Sequence, residues 1–366
     1  MQNHYPLLLT PIYKEMLWGG NRLNTIYNRT SPYEKTGESW DVSCRPGEVS
    51  IITNGPAAGQ TLADYIAQDK AGVLGSRLAN QKRFPLLVKL IDANENLSVQ
   101  VHPDDNYARI AAAQGQVSDT GKAEIWYILT PPTDGHLIIG LKQGITADAL
   151  RNAYKTGTAE DCLSRLPVKT GDIVSIPAGL VHSLTPGVMV AEIQQNSDIT
   201  YRLYDYNRIG LDGKPRDLHI EEALAVTDFE GKIPKAVIQG LPIKKGDCTL
   251  TYAIANPYFA VIKYDLQDSI AENSNPAAFC IFTCVEGDAE ILTNISNGLA
   301  PVIPLPAGRS VFIPASLGRY TLRPKHGHCM LLKSFVPDIE NDFLAPLMAY
   351  GYTREDIAAS TAVTIK

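Results

Sequence analysis

The chain repeats part of itself. Gly171-Asp-Ile-Val-Ser-Ile-Pro-Ala-Gly-Leu-Val-His-Ser183 returns as Gly308-Arg-Ser-Val-Phe-Ile-Pro-Ala-Ser-Leu-Gly-Arg-Tyr320, at a constant offset of 137. Upstream, Ile125-Trp-Tyr-Ile-Leu129 is matched by Ile281-Phe-Thr-Cys-Val285, at an offset of 156. The first copy therefore carries about 19 more residues between its two blocks, and the helical pattern of Thr146–Leu163 is the natural insertion. Self-similarity at this spacing means two related units in tandem. Around the repeated blocks lie short runs rich in β-branched and aromatic residues, among them Glu124–Leu129, His136–Leu141, Val188–Gln194, Ala278–Val285 and Cys329–Phe335, separated by Pro and Gly. Such spacing predicts a sandwich or barrel. The expected fold is mainly β: two related barrels, one elaborated with helices and one plain.

The two copies differ where chemistry would sit. His182 of the first corresponds to Arg319 of the second, and Glu124 corresponds to Cys280. Residue types that bind metal occur in one copy and are missing from its sister. In Leu97-Ser-Val-Gln-Val-His102, strand alternation puts Ser98, Gln100 and His102 on one face and the apolar residues on the other. In Gly121-Lys-Ala-Glu-Ile-Trp126 the same alternation groups Lys122, Glu124 and Trp126. A single histidine near a strand end is ordinarily a hydrogen-bonded structural residue. Two imidazoles and a carboxylate, with an amide as a fourth group, suit zinc or a similar divalent ion.

Other groups surround this set. Val190, Glu192 and Gln194 alternate along a strand, and Ser197-Asp-Ile-Thr-Tyr-Arg202 follows. Arg202 offers a donor fork suited to phosphate or to a developing enediolate. Asp198 is a partner for it or a proton carrier. Lys89, a single charge in the apolar run Phe84–Lys89, either faces a pocket as an anion binder or snorkels at the strand end. Composition narrows the class. With 33 basic against 39 acidic residues the chain lacks the basic excess of a nucleic-acid or membrane-surface binder. No run of 18 apolar residues and no basic, apolar leader predicts a membrane span or secretion. Six cysteines without a CxxC pair predict free thiols in a reducing cytoplasm. There is no GxGxxG, P-loop or GxSxG motif, so nucleotide-binding and serine-hydrolase readings have no support.

The joint set of motifs resembles class I mannose-6-phosphate isomerases, zinc enzymes of the cupin superfamily, in their shorter bacterial form. The likeness runs through Trp18-Gly-Gly20, Gly37-Glu-Ser-Trp-Asp41, Phe84-Pro-Leu-Leu-Val-Lys89 and Gln100-Val-His-Pro-Asp-Asp105. It continues through Gly121-Lys-Ala-Glu124, Ile176-Pro-Ala-Gly-Leu-Val-His182 and Asp198-Ile-Thr-Tyr-Arg202-Leu-Tyr-Asp205. The resemblance implies two tandem cupin-like, jelly-roll barrels. A catalytic domain spans 1–240, with helical insertions at about 57–80, 104–114 and 145–166, and a degenerate cupin-like domain spans 241–366 and ends in a helix. It implies one zinc per chain on Gln100, His102, Glu124 and His182, and a catalytic role for Arg202. It implies proton carriage by Lys122 or Asp198, and contacts to the sugar phosphate from Lys89 and Ser98, with Trp18 lining the same pocket; Glu192 is a further substrate-binding candidate and, on chemical grounds, a rival base. The implied reaction interconverts D-mannose 6-phosphate and D-fructose 6-phosphate through a cis-enediol. Two other readings use the same residues: a metal-containing cupin that binds a sugar phosphate without turnover, and an iron oxygenase built on two histidines and a carboxylate.

Overall fold

The computed structural model describes residues 4–115, 119–210, 213–231, 236–293 and 302–364. The chain is mainly β and divides into two compact units. One comprises Met1–Ile12, Trp40–Lys89 and Ile238–Lys366; the other comprises Tyr13–Ser39 and Leu90–Val237. Both units are discontinuous in sequence, where the sequence reading expected contiguous segments 1–240 and 241–366. The first forms because Leu7–Thr10 pairs with Ser310–Ile313, with Leu7 opposite Phe312, and then with Ile51–Ile52. These strands join an eleven-stranded sheet with those of the C-terminal segment. Its core gathers Phe282, Ile291, Val311, Leu331 and Phe343, all fully buried.

The unit built on Leu90–Val237 carries the candidate site. One sheet orders Leu163–Pro167, His136–Leu141, His182–Ser183, Val99–Val101 and Tyr201–Tyr204 side by side. In another, Glu124–Thr130 is the central strand between Ile173–Ile176 and Met189–Gln195. The strand Met189–Gln195 is buried along its whole length. Helices form where the sequence supplies caps. The Asp104 side chain accepts from the Tyr107 amide at the start of Asp105–Ala113, and Thr146 accepts from Ala149 at the start of Ala147–Thr156. Gly157, with φ of 74°, ends the latter in a left-handed cap. That helix is the expected insertion, and it buries Leu150 and Ala153 against Leu224 of the helix Ile220–Val226.

The repeat is visible as strand register. Ile176 pairs with Glu124 and Val174 with Trp126. In the other unit Ile313 pairs with Cys280 and Val311 with Phe282. The two ladders therefore match residue for residue in the alignment read from sequence.

The Trp18-Gly-Gly20 motif has a packing explanation. Trp18 is 4% exposed and sits in the apolar cluster with Ile91, Leu97 and Trp126. A methyl group at Gly20 would lie 2.5 Å from the Asp92 carboxylate. Asp92 is fully buried and is held by the Arg22 amide at 2.7 Å and by Arg22 Nε at 2.8 Å, while Arg22 Nη1 donates to Gly187 O at 2.6 Å. Arg22→Met strips the charge partner from a buried carboxylate, which costs about 3–5 kcal/mol. A clear fall in thermal midpoint is expected; an unchanged melt would show that this pair does not hold the unit.

Candidate metal centre

Three strands and one strand end bring the ligand types together. Gln100 is opposite His182 on one side and opposite Arg202 on the other, so the three side chains share one face of their sheet. His102 follows Val99–Val101 directly. Glu124 opens its strand opposite Gln194, with Trp126 opposite Glu192 two residues on. The alternation read from sequence thus delivers Lys122, Glu124 and Trp126 to one place.

His102, Glu124 and His182 form a buried group whose ligand atoms all lie within 4.8 Å of one another. Among the described residues no other three His, Cys, Asp or Glu side chains converge in this way. His102 Nε2 is 3.6 Å from Glu124 Oε2, and His182 Nε2 is 3.5 Å from Glu124 Oε1. Each imidazole is fixed from behind. His102 Nδ1 lies 2.8 Å from Ile199 O, and His182 Nδ1 lies 2.8 Å from Leu180 O. A carbonyl only accepts, so each Nδ1 carries a proton and each Nε2 is the nitrogen turned toward Glu124. Burial pushes the His182 imidazole down to about 4, so it is neutral and able to ligate at pH 7. Both Glu124 oxygens are buried and accept no hydrogen bond of good geometry, although Lys122 Nζ stands 2.8 Å from Oε2. A buried carboxylate set between the Nε2 atoms of two imidazoles fits a divalent cation.

The surrounding groups are also resolved. Lys122 is buried, and its ammonium lies 3.3 Å from His102 Nε2. The Gln100 amide nitrogen stands 3.4 Å from His182 Nε2, and its oxygen accepts from Ser98 Oγ at 3.3 Å. Gln100 therefore presents a donor, not its oxygen, to the ligand group. Glu192 accepts from the Trp126 indole at 3.0 Å, and the Trp126 ring meets His182 edge-on at 5.4 Å. Trp126 was on the right face in the sequence but had no role assigned to it.

Arg202 Nη1 donates to Asp217 O at 2.9 Å, while its Nε is buried without a hydrogen-bond partner among the described residues. Burial, and then the nearby Arg216, draw its pKa down, yet it remains a cation at neutral pH. Of the two roles open to Asp198, pairing with Arg202 is not observed among the described residues: Asp198 is exposed, and its amide donates to Asp119. Arg208 and Arg216 grip Asp205 instead, at 2.7 Å and 2.8 Å. Burial alone would raise the Asp205 carboxyl, but these two arginines outweigh it and hold it below its ordinary range. Only the Asp205–Arg208 spacing of three hinted at this cluster. Lys89 belongs to the other unit, where its buried ammonium lies 4.9 Å from the centre of the Trp40 ring. Trp18 packs in the apolar core, as described above. Cys280 and Cys284 are buried thiols, and His328 pairs with Asp265 at 3.0 Å.

Comparison with known proteins gives a consistent result. The family "Phosphomannose isomerase type I, catalytic domain" matches residues 7–135, and "Mannose-6-phosphate isomerase, cupin domain" matches residues 248–336. A Bacillus subtilis protein named "Probable mannose-6-phosphate isomerase GmuF" is 38% identical over 87% of this chain and 96% of its own length. The mannose-6-phosphate isomerase of Streptococcus mutans is 33% identical over 80% of this chain and 88% of its own. The crystal structure of the Bacillus subtilis mannose 6-phosphate isomerase superposes with a TM-score of 0.80 at 32% identity, covering 90% of this chain and 99% of that one. Among the described residues no helix is long and apolar enough to cross a membrane.

Proposed function

Since the chain belongs to the mannose-6-phosphate isomerase family, we propose that it interconverts D-mannose 6-phosphate and D-fructose 6-phosphate with one zinc ion held by His102, Glu124 and His182. The observation that carries the zinc reading is the convergence of His102, Glu124 and a neutral His182 in one buried group. When bound, zinc would supply Lewis-acid polarisation of the substrate carbonyl. Gln100, which meets His182 through its amide nitrogen, is read as a positioning group.

The open-chain aldose has a carbonyl at C1 and a hydroxyl at C2. The C2 proton leaves while O1 gains one, giving a cis-enediol; O2 then loses its proton while C1 gains one. Lys122 is read as the group that carries the carbon-bound proton. Its burial beside the His102–Glu124–His182 group supports this role for the free amine, while Asp198 is exposed and Glu192 is engaged by Trp126. Arg202, in a row with Gln100 and His182, is read as the cation that meets negative charge on the enediolate oxygens. Ser98 steadies Gln100. The two β-rich units are read as cupin-type barrels, supported by their matching ladders. Six free cysteines support a reducing, cytoplasmic setting.

The test is a coupled assay that detects fructose 6-phosphate as it forms from mannose 6-phosphate. Chelation should lower turnover by roughly a thousandfold or more, and added zinc should restore it. Zinc-loaded protein without turnover would overturn the isomerase reading.

A further inference from the structure

The ladder that carries Glu124, Trp126 and Glu192 recurs in the other unit with different side chains. Cys280 pairs with Ile313 as Glu124 pairs with Ile176, and Lys333 pairs with Phe282 as Glu192 pairs with Trp126. Arg319, opposite Asn273 as His182 is opposite Gln100, is exposed. The ligand types are gone, yet the location is not filled in. A cavity of about 250 Å³ opens there, lined by Cys280, Lys333 and Asn273 among others. Exposed Lys245 and Asn275 share its lining with buried Tyr264 and Tyr320, so it runs from the surface into the core of this unit.

Its chemistry suits neither a metal nor an anion. Burial pushes the Cys280 thiol up to about 11, so no thiolate is offered. Lys333 Nζ lies 3.1 Å from Glu272 Oε2 and 3.4 Å from the Tyr264 hydroxyl, which itself donates to Glu272 Oε1 at 3.2 Å. Lys245 and Asp342 add one charge of each sign, so the formal charges of the lining cancel. Lys333 and Glu272 keep 18% and 10% of their side-chain surface accessible, within reach of a molecule in the cavity. The pair is part-buried, so each partner keeps hydrogen-bonding capacity toward the cavity that it lines. Tyr252, Tyr264, Tyr320 and Phe335 add apolar ring faces, and the Tyr252 hydroxyl makes no hydrogen bond to a described residue. We propose that this cavity is a second binding site, for a neutral polyhydroxylated molecule: a sugar or polyol without phosphate. Hydroxyl groups both donate and accept, matching the alternation of ammonium, carboxylate and phenol. The C–H face of such a molecule suits the ring faces, and its neutrality suits a lining without net charge.

The experiment is saturation-transfer NMR on the full chain with methyl α-D-mannopyranoside and mannitol. Neither has a free carbonyl or a phosphate, so neither can be turned over. At least one should bind saturably, with affinity unchanged in His182→Ala and about tenfold or more weaker in Lys333→Met. Tyr252→Phe removes only a hydroxyl and should also weaken binding, which keeps the test decisive if the lysine variant does not fold. Absence of saturable binding by both probes overturns the proposal. So does binding that is lost in His182→Ala but retained in Tyr252→Phe, and so does tighter binding of inorganic phosphate than of either probe at this cavity.

Discussion

His182→Ala is expected to abolish metal binding and turnover together. His182 is fully buried, and no other described side chain can take its place opposite Glu124 Oε1. Its removal leaves one imidazole and one carboxylate, short of the three protein ligands that a catalytic zinc usually has. The loss of Lewis-acid stabilisation corresponds to roughly three orders of magnitude or more in kcat. Metal content measured on the purified variant should fall far below one equivalent, and added zinc should not restore activity. Circular dichroism separates this from unfolding, since deleting a buried ring also opens a cavity next to Trp126. A folded variant that retained close to one equivalent of zinc would remove His182 from the ligand set.

The repeat made most of this site legible. It aligned Glu124 with Cys280, and the two strand ladders hold those residues at the same register position. Period-two alternation grouped Lys122 with Glu124 and Ser98 with Gln100, and both pairs are in contact. What failed depended on pairing across long stretches of chain. Nothing local to Leu7–Thr10 says that it will join a strand some 300 residues later, so the discontinuous units were unreadable. For Asp198 the sequence left open a pairing with Arg202 or a role as proton carrier. Asp198 lies at the surface while Arg202 sits in a strand. For Lys89 the sequence left two roles open, an anion binder facing a pocket or a snorkelling strand-end charge. The aromatic partner it has, Trp40, comes from another strand. Arg208 and Arg216 converge on Asp205 through a loop whose path no periodicity describes.

Arg202 separates metal binding from charge stabilisation, and its replacement gives the second large effect. Arg202 is not one of the three convergent ligands, and its Nη1 is anchored on Asp217 O at 2.9 Å. Its strand position opposite Gln100 puts it on the same sheet face as His182, with a buried Nε that no described group satisfies. A buried donor without a partner is costly unless something else meets it. An enediolate oxygen would meet it, and the interaction would strengthen as negative charge develops. Arg202→Met should therefore retain one equivalent of zinc and lose about 10²–10³ in kcat, with a much smaller change in KM. Arg202→Lys should recover little, because a point charge on a flexible stem does not reproduce the planar fork. Steady-state kinetics and metal analysis on the same preparations decide the matter. A kcat within a few fold of the parent would show that charge on the enediolate is met by another group. Zinc lost in parallel with kcat would make Arg202 a support of the ligand group instead.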